Sequence, residues 1–190
     1  MNAPRYLLNA WRYLRRPVNL GWLGPLYVTG ERSVLVGFAV VWVLMLALAS
    51  QWVEGTGFDR LMAATLAALG HWFWDLMHHV GHYLAGLYAG HPMRGIHLYG
   101  VLIRSVYPPN EPALAANIHI RRAIGGPAMS ICMALLCLLF QRIFPSDILW
   151  FFFYISFWDN LLVMTLGALL PVAGLDGHVI LRQWKHKKLG

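Results

Sequence analysis

The sequence predicts an all-α polytopic membrane protein with about four transmembrane helices, on three observations. Of its 190 residues, 58% are hydrophobic and only 12% charged, and the mean hydropathy is +0.54. A soluble domain carries about 25% charged residues. The apolar residues gather into runs long enough to cross a hydrocarbon core about 30 Å thick. The excess positive charge, +7 in all, sits in clusters between those runs. That pattern reads as membrane topology and attraction to anionic lipid, with the bilayer as partner and no nucleic acid.

Two regions follow. Residues 1–32 read as a cytoplasmic basic interfacial segment, in which Arg5, Arg12, Arg15 and Arg16 interleave with Leu7, Leu8, Trp11 and Leu14 as in a helix lying on a membrane. Arg12 interrupts the early apolar stretch and no small-residue cleavage site follows, so it is not read as a signal peptide. Residues 33–190 read as a membrane domain. Ser33–Val53 is uncharged for 21 residues and forms the first span. After a loop with Gly55 and Gly57, residues 61–89 form the second, carrying Asp75 and several histidines.

Residues 91–122 are a cytoplasmic loop punctuated by Pro92, Pro108, Pro109 and Pro112. Within it, residues 94–107 are rich in β-branched and aromatic side chains and predict a small β-hairpin or short sheet. The third span covers about 123–140, with Arg121 and Arg122 anchoring its start. The fourth covers 148–170 and contains Asp159 and Asn160. Pro171–Gly177 breaks it, and 178–190 is a basic tail with Lys185, Lys187 and Lys188. With both termini cytoplasmic, thirteen Lys and Arg residues lie inside and only Arg60 and Arg142 outside, a strong positive-inside bias. Cys132 and Cys137 share one span and read as buried thiols rather than a disulfide. The tryptophans, among them Trp72, Trp74, Trp150 and Trp158, are expected at helix ends or facing lipid, and His97 and His119 at the surface.

The chemistry concentrates in His78-His79-Val80-Gly81-His82. Histidines four apart lie on one helix face and can share a metal ion. An ionisable cluster inside a membrane span is costly and marks a functional site. His71, Asp75, His78 and His82 fall within an arc of roughly 60°, with His79 to one side. Asp75, one turn earlier, can orient His78. A third ligand has to come from elsewhere. Asp176 is the leading candidate, because Pro171 ends a helix and Gly174 permits a bend back toward the second span. His178 could bind instead. Two histidines and a carboxylate leave one position open for water, the catalytic pattern.

Over residues 61–182 the chain resembles the site-2 protease family of intramembrane zinc metalloproteases. His78-His79-Val80-Gly81-His82-Tyr83-Leu84-Ala85 matches that family's HExGHxxA segment except at the glutamate. Gly125-Gly126-Pro127-Ala128 resembles its glycine-proline motif, and Pro171–Gly177 its PxPxLDG segment. The resemblance implies a three-helix core holding one zinc ion per chain below the cytoplasmic surface, with His78, His82 and Asp176 as ligands. It also implies a transmembrane protein as substrate or partner. Three positions depart from the pattern. His79 replaces the catalytic glutamate, and Ala168 and Ser130 stand where asparagines are common.

Two functions from different classes follow. The first is hydrolysis of peptide bonds in membrane proteins with an altered general base, His79, since a neutral imidazole accepts a proton near pH 7. Glu111, in a proline-rich loop, is the other candidate base. The second is a proteolytically inactive relative acting as a metal-stabilised membrane binding or regulatory protein. Diiron and haem chemistry fit poorly, because the chain has one histidine box and no histidines on facing spans.

Overall fold

The computed structural model describes residues 13–189, so the interfacial helix expected around residues 5–14 falls almost wholly outside it. Strands β1 (Pro17–Leu23) and β2 (Leu26–Glu31) come first, then helices α1 (Ser33–Trp52) and α2 (Gly57–Tyr88). Strands β3 (Gly95–Tyr99) and β4 (Leu102–Val106) follow, then helices α3 (Ala116–Ile143) and α4 (Asp147–Trp158). A π-helical stretch, Asp159–Gly167, continues α4, and α5 (Asp176–Leu189) ends the described chain. Among the described residues, three segments are long and apolar enough to cross a membrane: Ser33–Trp52, Ala116–Ile143 and Asp147–Gly167.

The helices bury small residues and turn large ones outward. On α1, Gly37, Val41, Met45 and Ala49 form a buried stripe at four-residue spacing, while Leu35, Val40 and Val43 are exposed. The stripe packs on Ala63, Ala64, Ala67 and Ala68 of α2, with Phe151 of α4 closing the cluster. Small residues let helix backbones approach where lipid removes the hydrophobic drive for association. A close, reciprocal approach lies between α2 and α3. A Cβ on Gly81 would strike the carbonyl of Gly125, and one on Gly125 that of Gly81.

The expected hairpin is present as β3 and β4, paired antiparallel, but it belongs to a four-stranded sheet of order β1-β2-β3-β4. β1 and β2 form a second hairpin, and β2 runs parallel to β3 across the α1–α2 crossover. Residues 17–31, read from sequence as part of a basic interfacial segment, therefore hold two strands. Local composition concealed them because β2 gains its buried face only through β3 and α2. Leu26, Met93, Ile96 and Ile103 form that core, covered by Trp72, Leu76 and Tyr83 of α2.

Other boundaries shift for physical reasons. α2 begins at Gly57 rather than 61 because Thr56 and Asp59 form a reciprocal capping box. α3 begins at Ala116, which puts Arg122 inside a helix and buried rather than at a span's start. The span expected to run unbroken over 148–170 changes to π-helical geometry at Asp159 and ends at Gly167. There Asp159 meets His71 Nδ1 of α2 at 3.1 Å, and Thr165 Oγ1 donates to the Asn160 carbonyl at 2.8 Å. Trp74 is buried rather than lipid-facing. His97 is also buried, with Nδ1 2.8 Å from Thr29 Oγ1. Both cysteines are free, Cys137 buried and Cys132 exposed.

Candidate metal centre

The α2–α3 contact and the return of the chain after Gly167 bring three ligand atoms together. His78 Nε2 and His82 Nε2 lie 3.0 Å apart, and Asp176 Oδ2 lies 3.2 Å from the first and 3.3 Å from the second. Among the described residues this is the group of histidine, cysteine and carboxylate side chains able to hold a metal ion. Ligands about 2.0–2.1 Å from a tetrahedral ion stand about 3.3 Å apart, so the triangle fits a zinc-sized ion. Gly126 is the floor of this cradle: a Cβ there would overlap the Nε2 atoms of both histidines.

The opposite ring nitrogens are held from behind. His78 Nδ1 lies 2.9 Å from Ser130 Oγ, and His82 Nδ1 lies 2.7 Å from the Arg122 carbonyl oxygen, both on α3. An Nδ1–H donated to each oxygen leaves the Nε2 lone pairs directed at a common point. Burial raises the Asp176 pKa, but the two imidazoles outweigh it and hold the carboxyl at about 2, so it is ionised as a ligand requires. Gly174, with φ +95°, and the Gly177 N–H bond to the Ala168 carbonyl at 2.9 Å fold the loop back.

His79 faces a different partner. Its Nδ1 is 2.9 Å from the Asp75 carbonyl and 3.2 Å from Asp75 Oδ1, while Asp75 Oδ2 accepts the Ile103 N–H of β4 at 2.8 Å. All of these side chains except Ser130 line one cavity of about 690 Å³. Comparison with solved structures finds the site-2 protease from Methanocaldococcus jannaschii, with a TM-score of 0.61 and 17% identity, covering 92% of this chain and 74% of that one. The fold is site-2-protease-like. No protein-family model matches the chain, and no curated protein matches it.

Within the site-2-protease-like fold the sequence-predicted residues divide. His78, His82 and Asp176 are brought together. Asp75 is in the site but serves His79, four residues on, rather than His78. Glu111 lines the same cavity, with both carboxylate oxygens accepting from Arg122 Nη1, at 2.9 and 3.0 Å. His178 lies on the first turn of α5 and outside the ligand group. Ser130, read from sequence only as a missing asparagine, is the hydrogen-bond partner of His78. No local signal marks that role, since 52 residues separate the pair.

Proposed function

We propose that this protein is a membrane-embedded, zinc-dependent peptidase that hydrolyses peptide bonds of membrane proteins, with His79 as its general base. The observation that carries this reading is the convergence of His78, His82 and Asp176 in a cavity that His79 also lines. One ion per chain, held by those three, would leave a coordination position open and supply a Lewis acid and an activated water. The chain's own residues supply the proton handling. With Nδ1 engaged by Asp75, His79 has Nε2 free to take a proton from the attacking water. The Asp75 carboxylate, fixed by the Ile103 N–H, then stabilises the imidazolium. The pair thus restores the negative charge that a lone imidazole lacks. The proposed arrangement places α2 in the membrane as a fourth span, with both termini and the sheet on the cytoplasmic side, in keeping with the charge bias.

The test combines metal analysis with cleavage. The purified protein is expected to hold zinc near one per chain and the His78→Ala, His82→Ala double variant none. It is also expected to cut single-span membrane peptides, with His79→Ala losing activity while keeping its metal. Absence of bound metal in the wild type sinks the reading. Activity seen only in His79→Glu assigns the natural protein to the inactive, metal-stabilised class instead.

A further inference from the structure

The cavity that holds the ligand triad is also lined by three arginines from three elements: Arg104 of β4, Arg122 of α3 and Arg182 of α5. Arg122 is satisfied, since it is buried, binds Glu111 and lies 3.4 Å from the Tyr107 ring centroid. Arg104 and Arg182 are exposed at the cavity's rim, where water rather than protein solvates them. Among the described residues neither has a carboxylate partner, and Arg104 lies 6.0 Å from the Tyr99 ring centroid. The remaining carboxylates of the cavity, Asp75 and Asp176, are committed to His79 and to the ligand triangle. Two exposed guanidinium groups without a carboxylate partner among the described residues therefore line a cavity whose own carboxylates are already engaged.

We propose that Arg104 and Arg182 form an anionic subsite that binds a side-chain carboxylate of the polypeptide lying in the cavity. This rests on the hydrolytic reading above and adds a substrate class to it: membrane segments with an acidic residue flanking the scissile bond. Glu111 on Arg122 is an internal example of the ligand chemistry, a carboxylate taken by an arginine of the same cavity. Guanidinium groups bind carboxylates in fixed, charge-assisted geometry. The position of the acidic residue follows for a substrate strand laid along the α5 axis. Arg182 comes six residues after Asp176, a rise of about 9 Å, and an extended chain advances about 3.3 Å per residue. The carboxylate thus belongs about three residues from the bond at the metal centre. A lipid phosphate offers similar charge, but Arg104 and Arg182 line the ligand cavity, whereas Arg121 of α3, exposed like them, does not.

Binding tests this separately from turnover. Zinc-loaded His79→Ala protein in detergent would be titrated with two single-span peptides that differ only in Glu or Gln three residues to the cytoplasmic side of the bond. The Glu peptide is expected to bind about tenfold more tightly, with the difference shrinking in high salt. An Arg104→Gln, Arg182→Gln double variant with unchanged zinc content should remove the preference. Equal binding of the two peptides, or binding of neither, overturns the proposal. So does a double variant that keeps the peptide preference but loses retention on phosphatidylglycerol vesicles, which assigns the arginines to lipid. Cleavage by wild type without acidic preference sinks this subsite alone, whereas preference without cleavage sinks the hydrolytic reading alone.

Discussion

At the scale of single residues, the site depends on what stands behind each imidazole. His78 and His82 each present one nitrogen to Asp176 and rest the other on α3, through Ser130 Oγ and the Arg122 carbonyl. Partners of this kind hold the ring orientation and raise ligand basicity, and losing one typically weakens metal binding by about 10–100-fold. Ser130→Ala is therefore expected to lower zinc affinity by about that factor with the fold unchanged, read by competition with a chelator. Unchanged affinity would show that Ser130 does not orient His78. Gly126 is the more severe position: Gly126→Ala puts a methyl against both Nε2 atoms, and the variant is expected to purify without zinc.

At the scale of elements, the π-helical stretch matters because it begins at Asp159. That carboxylate meets His71 on α2, whose Nε2 lies 3.2 Å from the Val101 carbonyl at the β3–β4 turn. One histidine thus joins three elements in a buried place. Removing one member of a buried pair leaves the other uncompensated and typically costs about 3–5 kcal/mol, whereas replacing both with apolar residues is often neutral. His71→Ala is accordingly expected to lower thermal stability in detergent sharply, and a His71→Leu, Asp159→Leu double variant to recover most of the loss. If the double variant is as unstable as the single one, the pair matters for shape rather than charge. The reciprocal pairing of Thr56 and Asp59 works at the same scale and sets the start of α2.

At the scale of the whole molecule, the arrangement of spans remains a proposal with a direct test. With both termini cytoplasmic, Arg60→Cys and Arg142→Cys in a background lacking Cys132 and Cys137 are expected to react with an impermeant thiol reagent from outside intact cells, and Arg182→Cys only after permeabilisation. Labelling of position 182 from outside would reverse the topology. The amino-acid sequence by itself marked the apolar spans, the helix pair His78 and His82, and Asp176, with His178 as its alternative, to complete the ligand group. Hydropathy, a four-residue helical repeat and short motifs are local properties and can be read along a chain. Only the tertiary structure decided that Asp75 serves His79, that Ser130 backs His78, and that residues 17–31 pair into the sheet. It also decided that arginines from β4, α3 and α5 share one cavity. Each of these joins residues through packing rather than through neighbouring positions. Asp75 had histidines both three and four residues ahead on its own helix, and the contact with β4 at Ile103 is what fixes its carboxylate beside the second of them.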